Sequence, residues 1–199
     1  MVIWPKYQCN LASMTLLGLP LQWVDSSKYL GITFTSSRSL TLDIYQTRHK
    51  FFGCVNSIIN HCHGASEMVK LHLMESYCYP VISYAIECFN ISPSCIHQLN
   101  ACWNSVYRRI FDYKPCESVR ELISCLERMN LEYMYYQKKL CFLNSMMSCA
   151  SSVIVSVMNV FIRTVEYSKL CDLACVSPYD SRARIRRCVA AKYTASIEH

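Results

Sequence analysis

Glycine is scarce in this chain, and its few glycines lie early. They are Gly18, Gly31, Gly53 and Gly64, and none follows Gly64 in a chain of 199 residues. Glycine supplies the left-handed backbone conformations that tight turns need, so its absence argues against a C-terminal sandwich or barrel of short strands. Long helices are therefore favoured after residue 64.

Charged residues are also few, at 17%, whereas 52% of the residues are hydrophobic. A chain of this composition can bury a core and is unlike a disordered protein. Its length suits one large domain or two small ones. The net charge is +6, which is the sign expected for a surface that contacts phosphate groups.

A signal peptide is not recognisable, because Met1 is not followed by a basic segment and an apolar stretch. We therefore expect an intracellular protein, in the nucleus or the cytoplasm. The 14 cysteines are scattered and suggest no disulfide framework. We interpret them as reduced thiols, mostly small core residues.

Clustered carboxylates are missing as well. The five aspartates are far apart in the sequence: Asp25, Asp43, Asp112, Asp172 and Asp180. Polymerases and nucleases that use two metal ions need carboxylates that hold the ions about 4 Å apart. The chain also has no phosphate-binding glycine loop and no G-x-S-x-G motif. We predict no catalytic residues, no enzymatic activity and no cofactor for this chain.

A metal site is not predicted either. The nearest approach to a ligand set is His61, Cys62 and His63, with Cys54 and His72 nearby. Zinc sites use C-x2-C or H-x3-5-H spacings, which adjacent ligands do not match, so a polar helix end is the interpretation. Cys171 and Cys175 lie one helical turn apart, but they have no partner pair.

One long run without charge, LCFLNSMMSCASSVIVSVMNVFI at 140–162, reaches the length of about 20 residues that spans a bilayer. It also contains Asn144, Asn159 and five serines. We interpret it as a buried helix of a bundle. A membrane-associated helical protein is the alternative.

The predicted fold is mainly α, with a short N-terminal β hairpin or sheet followed by a helical bundle. Runs such as SMTLLG and KYLGITF within residues 1–35 predict two or three short strands. KYLGITFT, at 28–35, predicts one short strand that Gly31 interrupts. We divide the chain into strands at 1–38, a helical bundle at 39–165 and a basic, loosely ordered tail at 166–199.

Five helices are predicted from apolar spacing and from end signals. The first begins near Thr41 with Asp43 in its first turn, and the second opens at Ser66 and is kinked by Pro80. The others are a third helix capped by Ser92 with Pro93 next, a fourth opened by a capping box at Ser118–Glu121, and a fifth over about 131–162.

Five segments in order resemble one known family. They are SSKYLGITFT, RHKFFGCVNSII, SEMVKLHLMESYCYPVISYAIECFN, LNACWNSVYRRIF and ESVRELISCLERM. Together, over roughly residues 10–145, they resemble the region after the polymerase palm in jockey-like reverse transcriptases of non-LTR retrotransposons. The resemblance implies that Tyr29, Leu30 and Gly31 belong to a primer-grip-like hairpin, and that the helices after Thr41 are thumb-like.

The chain also departs from this family. The family's catalytic aspartate pair, in a Y/F-x-D-D motif upstream of the primer grip, is not in this sequence, and neither are the fingers and the endonuclease. The C-terminal cysteine cluster of the family is not recognisable. The resemblance therefore implies a fragment derived from an RNA-directed DNA polymerase, without the residues of its active site.

Four basic residues are the candidates for contact with nucleic acid. Lys50 shares the polar stripe of the first helix with Gly53, Lys70 lies on the second helix, and Arg108 and Arg109 end the third. We expect weak, non-specific binding to an RNA–DNA duplex. A solvated polar face is the alternative for Lys50, and a helix edge packed by arginine side chains is the alternative for Arg108 and Arg109. For the whole chain, the alternative is a domesticated protein-interaction module.

The tail carries the densest basic cluster: Arg182, Arg184, Arg186 and Arg187. Clusters of this kind bind nucleic acid non-specifically or act in nuclear import, and many are simply solvated.

Overall fold

A computed structural model of the protein describes residues 12–36, 44–177 and 179–197. Of these described residues 63% are helical and 8% lie in strands, with two small antiparallel hairpins before the helices. The predicted fold class is therefore confirmed. The predicted strand MVIW and the helix start at Thr41 lie outside the described residues.

The two hairpins are built alike. Strands β1 (Met14–Leu16) and β2 (Leu19–Leu21) form the first, and β3 (Ser26–Tyr29) and β4 (Ile32–Thr35) form the second. Each has a two-residue turn of leucine and glycine in which both residues have positive φ. Positive φ at both central residues is the geometry that matches the twist of a two-residue hairpin.

The prediction of one strand over residues 28–35 is wrong. Tyr29 ends β3 and pairs with Ile32 of β4, while Leu30 and Gly31 form the turn with φ of 47° and 81°. Gly31 therefore reverses the chain instead of interrupting a strand, because its missing Cβ makes the left-handed conformation accessible.

Helix α1 (Ile44–His61) is followed by a second long helical segment with three parts: α2 (Glu67–Leu73), a π-helical stretch (Met74–Cys78) and α3 (Tyr79–Ile82). The backbone N–H of Tyr79 donates to the Met74 carbonyl five residues back. Proline cannot donate and its ring collides with the carbonyl four residues earlier, so a wider turn just before it relieves the conflict. The predicted disturbance at Pro80 takes this form.

Helix α4 (Pro93–Ile110) begins as predicted. The Ser92 side chain accepts a hydrogen bond from the Cys95 backbone N–H at 3.2 Å, and Pro93 occupies the first turn. Its predicted apolar stripe is buried throughout: Ile96, Leu99, Trp103, Val106 and Ile110. This helix therefore supplies a large share of the central core.

Helix α5 (Arg120–Cys125) begins later than the capping box predicts. Its N-cap residue is Val119, and the Ser118 hydroxyl accepts only a long hydrogen bond, 3.4 Å, from the Arg120 backbone N–H. Val119 is buried in the central core. Packing of this side chain, and not the serine cap, accounts for the position of the helix start.

The single helix predicted over 131–162 is also wrong. The chain forms α6 (Leu131–Met147) and α7 (Ser152–Phe161), separated by a short serine-containing connection. Serine side chains compete with the helical backbone for hydrogen bonds, and the Ser148 hydroxyl donates to the Asn144 carbonyl at the break. No helix in the described part of the chain is both long enough and apolar enough to cross a membrane.

The C-terminal segment is helical, and the prediction of a loosely ordered tail is wrong for it. Helices α8 (Val165–Ala174) and α9 (Arg182–Ala195) follow α7, and the Ser181 hydroxyl accepts from the Arg184 N–H as a cap. Ile185, Val189 and Tyr193, four residues apart, are buried on one face of α9. The division into three domains stays a prediction.

The central core draws on most of the chain after the hairpins. Buried side chains of α1, α4 and α9 join one cluster, in which Phe51 and Trp103 have ring centroids 6.1 Å apart. Among the described cysteines only Cys78 and Cys102 are buried, so the prediction that most cysteines are core residues is wrong. Burial raises the pKa of the Cys78 thiol to about 12.

Candidate nucleic-acid interface

The second hairpin docks on the helices through three contacts. The Tyr84 hydroxyl donates to the Leu30 carbonyl at 3.1 Å, and the Thr33 hydroxyl donates to the Gln46 side-chain oxygen at 3.4 Å. The Phe34 and Phe89 rings have centroids 5.7 Å apart. The turn at Leu30 and Gly31 is thereby held against α1 and against the segment after α3.

A groove of about 330 Å³ lies where the hairpin meets the helices. We call it the hairpin groove, and it is lined by Gly31, Ile32, Thr33, Gln46, Thr47, Lys50, Pro80, Val81 and Tyr84. Two predicted residues from different motifs, Gly31 and Lys50, therefore meet in one place. Among these described lining residues, Lys50 is the one with a formal charge.

Exposed aromatic and apolar side chains lie at the hairpin turn beside the groove. Tyr29 and Tyr84 are both more than half exposed, and so is Leu30 at the turn. A Cβ placed on Gly31 would lie 3.8 Å from the Tyr84 ring, an ordinary van der Waals distance, so the turn lies directly beside this ring. Exposed tyrosine faces beside a cation can stack on bases while the cation contacts phosphate.

Helix α1 presents the polar face that its sequence predicts. Lys50 and Gly53 are exposed, and outside the adjacent helical backbone no described atom lies within 4 Å of the position of a Cβ on Gly53. The exposed Arg109 joins the edge of this helix, because its guanidinium donates to the Asn56 side-chain oxygen at 2.8 Å. Since residues 44–61 contain no acidic side chain, this face is cationic.

The side chain of Arg108 lies away from α1, unlike that of Arg109. Its Nε donates to the Glu117 carbonyl at 2.9 Å, and its side chain lines a polar pocket of about 360 Å³ together with Asn104, Arg120 and Tyr193. The residue types of this pocket suit a small polar ligand or water. The pocket does not share a lining residue with the hairpin groove.

The remaining predicted basic residues do not join the groove. Lys70 is half-buried in the last turn of α2, next to the buried Leu71. On α9, Arg182 donates to the Ser145 hydroxyl and Arg184 pairs with Asp180 at 3.2 Å. The predicted binding residues thus separate into a group around α1 and several isolated positions.

The histidines singled out in the sequence make local contacts. His61 and His72 each place Nδ1 within 2.8 Å of a backbone carbonyl oxygen four residues earlier, on Ser57 and Met68. Within the described ranges, no group of three or more histidine, cysteine, aspartate or glutamate side chains is arranged to hold a metal ion.

Three further residues line the hairpin groove although the sequence did not predict them as site residues: Gln46, Pro80 and Tyr84. Tyr84 contacts Leu30 across 54 positions of sequence, and no local pattern encodes such a pairing. Gln46 offered a signal, because it lies on the same polar stripe of α1 as Lys50.

The fold and site define a mainly α protein that holds a β hairpin against a cationic helix face. No protein family, no curated protein and no solved structure matches this chain. The resemblance to reverse transcriptases accordingly stays a prediction from the sequence segments.

Proposed function

We propose that this chain is a thumb-like, polymerase-derived module that binds nucleic acid weakly and without sequence preference, and that it has no catalytic role. The observation that carries the proposal is the meeting of Gly31 and Lys50 in the hairpin groove. The five sequence segments that resemble the reverse transcriptases support the same assignment.

The electrostatics of α1 support binding to a polyanion. Lys50 of α1 is exposed in the groove, and the exposed Arg109 of α4 donates to Asn56 of α1. Helix α1 itself has no carboxylate that could compete with phosphate for these cations. Each phosphate that a cation neutralises releases counterions, so binding of this kind weakens steeply as salt rises.

The test is fluorescence anisotropy with a labelled RNA–DNA hybrid over a range of salt concentrations. Three or four phosphate contacts predict a log–log slope near about −3. The double variant Lys50→Gln, Arg109→Gln should lose most of the affinity and flatten the slope by about 2, because two contacts are removed.

A matched control removes the same charge from another exposed helix. The double variant Arg186→Gln, Arg187→Gln on α9 should bind with nearly wild-type affinity and slope. If this control loses as much binding as the α1 variant, the interaction is generic charge attraction. If the intact chain shows no binding at low salt, the proposal fails.

A protein-interaction module is the second candidate, and the first hairpin favours it. Leu17, Leu19 and Leu16 of this hairpin are 96%, 71% and 61% exposed. Large contiguous apolar patches on soluble proteins mark interaction surfaces. Self-association that is insensitive to salt in sedimentation velocity, together with no binding of the hybrid, would favour this function.

A further inference from the structure

Lys139 is a buried cation on α6 and is only 5% exposed. Its Nζ donates to the Phe89 carbonyl at 3.0 Å, and the same carbonyl accepts from the Tyr135 hydroxyl at 3.2 Å. An ammonium group has three N–H donors, and in the described chain Lys139 forms no ion pair within 4 Å. A buried charge with so little compensation is costly unless something else pairs with it.

The lysine lies where two cavities meet. One of about 590 Å³ extends between the 88–90 segment, α6 and α7, and another of about 290 Å³ extends towards α8. Both are lined by Asn90, Lys139, Phe161 and Glu166, so they form two lobes of one groove. We call it the Lys139 groove.

Apolar side chains line the rest of the larger lobe. Phe142, Leu143, Met146 and Met158 form its walls, and the exposed Val157 lies at its edge. Methionine is flexible and polarisable, so walls of this kind adapt to apolar chains of different shape. The lobe therefore suits a hydrocarbon chain better than a polar ligand.

The charges around the lysine leave an excess of one cation. Glu166 accepts a hydrogen bond from the Asn90 amide at 2.6 Å, and both Glu166 and, more weakly, Glu87 act on Lys139 electrostatically. Lys169 lines the second lobe, whereas Lys138 lines neither lobe and places its Nζ 2.8 Å from the Ser83 hydroxyl. The described lining of the two lobes therefore carries two lysines and one glutamate, which favours an anionic ligand group.

We propose that the Lys139 groove binds a monocarboxylic acid with an apolar chain, with its carboxylate on the Lys139 ammonium and its chain in the larger lobe. The ligand carboxylate would accept hydrogen bonds from the N–H groups of Lys139 that have no other acceptor. The apolar chain of the ligand would cover the apolar walls of the larger lobe. This site does not depend on binding of nucleic acid.

The test is a titration of the full chain with a dansyl-labelled undecanoic acid, followed by displacement with dodecanoate and with dodecanol. Dodecanoate should displace the probe at a concentration at least about tenfold lower than dodecanol, because only the acid pairs with the ammonium. Lys139→Met should remove this difference and leave the affinity for dodecanol nearly unchanged.

Lys138→Met is the matched control, because it removes the same charge from the adjacent position. It should keep the preference for dodecanoate. Val157→Trp, at an exposed position that does not threaten the fold, should weaken binding of all ligands by narrowing the lobe.

Several results would overturn the proposal. They are no binding of the probe, equal displacement by dodecanoate and dodecanol, and equal losses in Lys138→Met and Lys139→Met. Equal displacement would mean that the groove accepts any apolar group, such as a helix of a partner protein.

Discussion

At the scale of single residues, the turn of the second hairpin combines strain with exposure. Leu30 has a φ of 47° and is 70% exposed. Packing of its side chain therefore offsets little of the strain of its left-handed conformation. A residue with a branched or bulky side chain is disfavoured there, whereas asparagine and glycine adopt this conformation readily. The Tyr84 hydroxyl holds the turn in place through the Leu30 carbonyl.

We predict that Leu30→Asn stabilises this hairpin by about 1 kcal/mol, and that Gly31→Val opens it. Opening should expose the bond after Lys28 in β3 to trypsin. Tryptic cleavage after Lys28, followed by mass spectrometry, should become about fivefold slower in Leu30→Asn and at least about fivefold faster in Gly31→Val. Cleavage after the exposed Arg163 is the internal reference, and faster cleavage of Leu30→Asn would contradict the prediction.

At the scale of elements, α9 shows how a basic segment can also be part of the core. Its arginines are exposed, while Ile185, Val189 and Tyr193 lie on the opposite side and are at most 2% exposed. Ile185 and Val189 pack with Leu140 of α6, and Tyr193 joins the central cluster. Charge and burial therefore occupy different faces of one helix.

We predict that deletion of residues 180–199 unfolds the protein or greatly weakens it. Burial of three such side chains contributes about 5–9 kcal/mol, which is comparable to the whole stability of a domain. Urea unfolding followed by circular dichroism should show a lost or strongly shifted transition. The double variant Arg186→Gln, Arg187→Gln should stay within about 0.5 kcal/mol of the wild type. A deletion mutant as stable as the intact chain would show that α9 does not pack as described.

At the scale of the whole molecule, Trp103 connects several helices. The residue is buried on α4, and its ring contacts the Phe51 ring of α1, the Tyr79 ring of α3 and the Tyr107 ring of its own helix. Aromatic contacts of this kind bury large apolar areas and hold neighbouring elements in register.

We predict that Trp103→Ala lowers the free energy of unfolding by about 3–5 kcal/mol, because a large cavity forms in the central core. Val153→Ala, at an exposed position on α7, should change it by less than about 0.5 kcal/mol. Both values come from urea titrations. A loss below about 1 kcal/mol in Trp103→Ala would mean that this cluster is not the main core.

Local signals in the sequence determined the helical class and several element ends. The absence of glycine after Gly64 indicated helices, and Ser92 with Pro93 indicated where α4 begins, because capping and helical spacing act over only a few residues. The polar stripe of α1 was predictable for the same reason. These features need no partner from elsewhere in the chain.

Contacts between distant residues decided the rest. The break between α6 and α7 lets Leu143, Met158 and Tyr167 form one cluster. No proline or glycine in the sequence indicates where this break lies. The hairpin groove needs Tyr84 beside Leu30, and the Lys139 groove needs α6, α7 and α8 around one lysine. Such sites arise only when the burial of apolar faces brings separate segments together, so tertiary packing and not local pattern determined them.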